Sequence, residues 1–129
     1  MTQPTKRQAI FNKTGGRCYY CGDPLPAKGW HKDHVEAIRR NFDLTGRTDG
    51  TSLNPDADRE DNFVPACASC NLQKGPLTVE QFRDKIAQFI SSLNAYHNQY
   101  IVARRYGLVV ETGQNVTFWF EKEAKSVKP

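Results

Sequence analysis

Two Cys-x-x-Cys pairs, Cys18/Cys21 and Cys67/Cys70, place four thiols in a chain of 129 residues. Four thiolates are the ligand set of a tetrahedral structural zinc, and two tight knuckles can share one ion. Paired disulfides are the rival arrangement, suited to a secreted protein. Residues 22–66 separate the two pairs, 45 positions. That is long for a simple zinc ribbon, so the intervening segment is expected to be a working part held between clamped ends. Sulfur-only ligation leaves no open coordination position, and such a zinc holds structure. Three further polar features stand between and beside the knuckles: Asp33-His34, Asn62 and Asn71.

The order of these residues resembles the HNH nuclease family. That family places an Asp-His pair on a strand, an Asn on a following loop and a third His or Asn at the start of a helix. The matching stretches are HKDHV, DNFVPACASCN and the trailing LQKG, within about residues 17–75. Asn62 and Asn71 lie nine positions apart, the family's spacing between its second and third motif residues. Many members also carry two Cys-x-x-Cys knuckles. Asn71 stands where the family name has His, which makes this an H-N-N version. The 27 residues between His34 and Asn62 exceed the expected interval. The resemblance implies an α+β fold with a zinc-stapled ββα-metal (His-Me finger) core. It implies a metal-dependent DNA endonuclease with one active site per chain, leaving a 5′-phosphate and a 3′-hydroxyl. A monomer would then nick one strand, and a homodimer or two successive nicks would cut both. It also implies that Asn62 helps order its loop and the histidine.

Hydrolysing a phosphodiester requires an activated water, in-line geometry and relief of charge on the leaving oxygen. A neutral imidazole is a natural base near neutral pH, the role expected of His34. Asp33 and Asn71 offer the oxygen donors that a hard cation such as Mg²⁺ or Mn²⁺ takes while keeping several waters. Asn62 is expected to orient His34 through a hydrogen bond. Asn71 also suits a helix N-cap, and both readings stay open. Successive residues of an ideal strand face opposite sides, so either the strand bends, bulges or ends at Asp33-His34, or the phosphate sits at the strand edge and both side chains reach around it. Arg39, Arg40 and Lys74 are the candidate phosphate contacts, with plain solvation as the alternative. His31 is read as structural or accessory, and His97 as structural. The alternative for the whole protein is a non-catalytic zinc-knuckle module that binds DNA or protein.

The elements that must position these groups are partly legible. TKRQAIFNK, residues 5–13, predicts a short helix stopped by Gly15-Gly16. WHKDHV and NFVPAC predict two short strands, with Val64 biased to extended backbone by the proline after it. Residues 39–61 are polar and aperiodic and predict a long loop. Thr78 and Gln81 fit a capping box, and apolar spacing extends a helix over about 78–105, stopped at Gly107. Residues 107–121, LVVE and VTFWFE around a polar turn, predict a C-terminal β-hairpin.

The length suits one domain, residues 1–129. Residues 1–40 hold eight Lys/Arg against three Asp/Glu, 41–62 two against six, and 63–129 eight against five. Two basic flanks therefore bracket an acidic middle, as a DNA partner would favour. No apolar run approaches the roughly 20 residues of a membrane span, and the N-terminus shows no apolar signal core. A cytoplasmic protein, monomeric or homodimeric, is expected.

Overall fold

Thr5 opens the fold. Its hydroxyl accepts from the Gln8 amide and caps α1 (Lys6–Asn12), which buries Ile10 and ends in the left-handed pair Gly15-Gly16. β1 (His31–His34), β2 (Arg40–Phe42), β3 (Thr48–Ser52), a single 3₁₀ turn (Glu60–Asn62) and β4 (Phe63–Ala66) follow in chain order. Five helices follow among the described residues: α2 (Ala68–Lys74), α3 (Val79–Ala87), α4 (Phe89–Tyr96), α5 (Asn98–Arg105) and α6 (Trp119–Lys122). This computed structural model describes residues 5–36, 40–42, 48–52 and 59–123, with β2 and β3 described as backbone only.

β1 and β4 form an antiparallel ribbon in the register His31↔Ala66, Lys32↔Pro65, Asp33↔Val64 and His34↔Phe63. Pro65 fits because its carbonyl points away from β1, to the Tyr19 amide at 2.9 Å. A strand residue's N–H and C=O share one edge, so the missing proline N–H costs the β1 ladder nothing. By the same alternation Phe63 and His34 turn their carbonyls outward. Two lysines meet them: Lys13 Nζ donates to Phe63 O at 2.8 Å, and Lys74 Nζ donates to His34 O at 2.9 Å. α2 follows β4 after one residue, which makes the ββα unit.

β4 is buried on both faces, and the main core lies on the Val64/Ala66 face of this ribbon. Cys18, Tyr19, Tyr20, Val64, Ala66, Phe82 and Phe118 form it, and Ile10, Trp30 and Phe63 form a second cluster. The first knuckle therefore supplies core aromatics as well as thiols, an assignment absent from the reading of RCYYCG as a knuckle alone.

Three expectations need correction. Residues 39–61 are not loop throughout: β2 and β3 pair antiparallel, Arg40 with Ser52 and Phe42 with Thr48. The helix over 78–105 is divided into α3, α4 and α5. Gln88 leaves ideal helical geometry at φ −91°, ψ −7°, and His97 is extended at φ −118°, ψ 93°. Its start and stop are as read, with the Thr78/Gln81 capping box formed. Gly107 (φ 77°) closes a Schellman motif through Leu108 N to Ala103 O at 3.0 Å. The C-terminal β-hairpin over 107–121 is not formed. Residues 108–118 carry no strand, and Leu108 and Val110 are exposed. The apolar positions of VTFWFE pack on the core without a strand partner: Phe118 is buried, with Val116 from the extended segment and Phe120 from α6 against the same cluster. Trp119 N donates to Tyr20 O at 2.8 Å, and the chain then turns into α6. Arg83 fixes the segment from α3, donating to Val116 O at 2.9 Å and to Glu121 Oε1 at 2.6 Å.

Candidate metal centre and active site

The Sγ atoms of Cys18, Cys21, Cys67 and Cys70 all lie within 4.8 Å of one another. Cys21 and Cys67 stand 3.8 Å apart. A disulfide requires about 2.0 Å, whereas the edge of a sulfur tetrahedron around zinc, with bonds of about 2.3 Å, is about 3.8 Å. The four cysteines are free thiols with the spacing of a zinc site. Local structure sets each knuckle. Gly22 N returns to Cys18 O at 2.9 Å, with Gly22 in the left-handed region at φ 81°. Cys67 is the N-cap of α2, its Sγ accepting from Cys70 N at 3.3 Å. A hydrogen bond from Cys70 holds the Cys18 thiol down at about 5, while the same contact raises Cys70. Burial pushes Cys21 up to about 12. The crowded sulfurs resist shared ionisation, the condition that a divalent cation relieves.

The second centre is built around the end of β1. β1 keeps regular register through both Asp33 and His34 and stops after His34. Asp33 and His34 leave opposite faces. Asp33 is buried beside the core, only 7% exposed. His34 is half-buried and packs its ring on Phe63, its cross-strand partner, at 4.4 Å between centroids. Both described partners of Asp33 act on one oxygen: Tyr20 OH donates to Oδ2 at 2.5 Å, and Lys74 Nζ lies 3.4 Å from it. Burial pushes the Asp33 carboxyl above the usual carboxylate range, with Lys74 and then Tyr20 opposing. Burial likewise lowers Lys74 against the pull of Asp33, and it raises the Tyr20 hydroxyl, which stays a donor.

Asn62 is buried and faces the turn after His34. Its Oδ1 accepts from Glu36 N at 2.9 Å and its Nδ2 donates to Glu36 O at 2.8 Å. Its backbone carbonyl takes Val35 N at 2.9 Å. These contacts hold the backbone beyond His34. Asn71 lies in the first turns of α2, partly buried. The N-cap is Cys67, so the cap reading of Asn71 is set aside. Asn71 precedes Lys74 by three residues and shares its side of the helix. That is the side whose ammonium meets Asp33.

The structure corrects the expectation for Lys74: it is 0% exposed, and so is neither a surface phosphate contact nor a solvated lysine. The buried carboxylate draws the ammonium inward. Arg39 lies outside the described residues, and so does the side chain of Arg40. Sequence reasoning missed Tyr20 and Lys13. A tyrosine between zinc cysteines gave a faint signal, and Lys13 gave none. Among the described residues no helix is long and apolar enough to cross a membrane.

Comparison with known proteins agrees with this geometry. Residues 18–77 match the family described as HNH endonuclease. No curated protein and no solved structure matches the chain.

Proposed function

We propose that the protein, whose residues 18–77 match the family described as HNH endonuclease, hydrolyses DNA phosphodiester bonds at the end of β1. The observation that carries this reading is the ββα unit itself. Asp33-His34 end one strand, Asn62 precedes the other, and Asn71 rides on the helix that the cysteine cluster anchors.

In this reading the His34 imidazole is the general base and takes a proton from the attacking water. Asn62 keeps the Val35-Glu36 turn in place, so the ring stays at the end of the ribbon. Asp33 and Asn71 are the oxygen donors that would hold a divalent cation, Mg²⁺ or Mn²⁺. A carboxylate and an amide suit a hard ion that retains waters. Such an ion supplies charge neutralisation at the phosphate and the departing oxygen. The four thiolates hold zinc and take no part in the reaction. Arg39 and Arg40 are the proposed phosphate contacts. The protein acts in the cytoplasm as a monomer that nicks one strand, or as a homodimer.

Plasmid nicking by zinc-loaded protein with Mg²⁺ or Mn²⁺ tests the reading. Wild type should convert supercoiled to open-circular DNA, and His34→Ala should not. Equal nicking by both would sink the catalytic assignment.

A binding module without hydrolysis is the second reading. It is favoured by one observation, the Lys74 ammonium beside Asp33, which balances the carboxylate without a second metal. Mn²⁺ titration of zinc-loaded protein separates the two, because the module has no second site to fill.

A further inference from the structure

We infer that Lys74, with Tyr20, is a positioning residue for Asp33. The inference rests on the metal-dependent reading above. A lysine with 0% exposure on a seven-residue helix is rare, because its desolvated charge needs return from its surroundings. Here the ammonium makes two contacts on β1, His34 O at 2.9 Å and Asp33 Oδ2 at 3.4 Å. The Tyr20 hydroxyl reaches the same Oδ2 at 2.5 Å from the first zinc knuckle. Two donors on one carboxylate oxygen fix the rotation of the group and dedicate Oδ2 to the protein. Oδ1 becomes the atom presented to a cation.

The anchoring is also structural in a specific sense. Lys74 and Asn71 share one side of α2, and Asp33 and His34 end β1. The Lys74 ammonium therefore sets the distance between the strand that carries one proposed ligand and the helix that carries the other. Tyr20 sits between Cys18 and Cys21, so the zinc knuckle reaches the second centre through a single hydroxyl. Ligand-orienting partners of this kind typically change metal affinity or activity by about 10–100-fold when removed.

The test uses full-length, zinc-loaded protein and Mn²⁺ as the probe, read by EPR and by the Mn²⁺ dependence of nicking. Tyr20→Phe removes only the hydroxyl and keeps the ring in the core. Lys74→Met removes the ammonium and keeps the chain length. Each should weaken Mn²⁺ binding about 10-fold or more. Nicking by Tyr20→Phe should recover at saturating Mn²⁺, with zinc content unchanged. A purely packing role would lower thermal stability without moving the Mn²⁺ midpoint. Should Lys74→Met not fold, Tyr20→Phe decides alone. Asp33→Ala runs beside them. If Asp33→Ala loses Mn²⁺ while Tyr20→Phe and any folded Lys74→Met bind it as wild type does, the positioning inference fails by itself. If Asp33→Ala also binds Mn²⁺ as wild type does, the inference and the metal reading fall together.

Discussion

The Asn62 side chain grips the backbone of Glu36 from both sides, accepting its N–H at 2.9 Å and donating to its carbonyl at 2.8 Å. The two residues lie across the mouth of the β1–β4 ribbon, one residue beyond the Val35–Asn62 backbone bond. An amide is the only side chain of this size with a donor and an acceptor side by side. The clamp therefore explains why an asparagine, rather than an aspartate, stands here.

Asn62→Ala should lose both bonds. At about 1 kcal/mol net for each, the cost is about 2 kcal/mol in urea unfolding. Asn62→Asp keeps the acceptor but sets a buried carboxylate against the Glu36 carbonyl, so it should cost at least as much as Asn62→Ala. Nicking should drop by about 10-fold or more, as for other groups that hold catalytic residues in place. Wild-type nicking by a destabilised Asn62→Ala would show that the turn after His34 has no bearing on the reaction.

Much of this site could be read from residue types. Cys18, Cys21, Cys67 and Cys70 are sparse and regularly spaced, and only a metal gives that spacing a purpose. They do converge within 4.8 Å. β1 and β4 were legible because HKDHV and NFVPAC are short, flanked by turn residues and rich in extended formers. Lys74 was not legible. In sequence it resembles any lysine on an exposed helical end, and only the partner 41 positions earlier, Asp33, draws it inside. The C-terminal hairpin failed for a related reason. Alternation reports that one face is buried, but not whether another strand or the aromatic core buries it. In Val116, Phe118 and Phe120 it was the core.

Cys67 has two duties, as a sulfur of the cluster and as the N-cap of α2. Cys67→Ser retains a good capping oxygen but weakens the sulfur set. Zinc binding is coupled to folding in sites of this type. The variant should therefore lose zinc and most of its cooperative unfolding transition, although the cap is preserved. Zinc content by absorption spectrometry, together with far-UV circular dichroism, checks this. A folded, zinc-free Cys67→Ser would show that the aromatic core holds the fold unaided.

Zinc affinity should depend steeply on pH. Without the ion, Cys21 is held up at about 12 by burial, and Cys70 is raised by its contact with Cys18. Both carry protons at neutral pH and must release them when zinc binds. Cys18, held at about 5, is already ionised there. The sign follows: acidification returns protons to the sulfurs and expels zinc, while a rise in pH tightens binding. Log Kd should fall by at least about 2 per pH unit near neutrality, one for each of these two protons. Competition against a chromophoric chelator at several pH values measures the slope. A slope near zero would mean that the sulfurs are ionised before the metal arrives.

Gly22 links the zinc knuckle to the C-terminal segment. It occupies the left-handed region at φ 81°, and a Cβ there would approach Trp119 Cδ1 to 2.5 Å. Gly22→Ala thus meets backbone strain and a collision at once. The expected loss is about 2 kcal/mol or more, since alanine at positive φ is unfavourable even in open space. Gly15 supplies the comparison. It is also left-handed, at φ 63°, but nothing lies within 4 Å of its would-be Cβ. Gly15→Ala should show strain alone, about 1 kcal/mol. The Trp119→Ala background should return part of the Gly22→Ala loss by removing the ring, and a double-mutant cycle isolates that part. Because Gly22 follows Cys21 directly, the collision should also weaken zinc binding, which Gly15→Ala should leave alone. Equal losses at the two glycines would show that the C-terminal segment does not press on the knuckle.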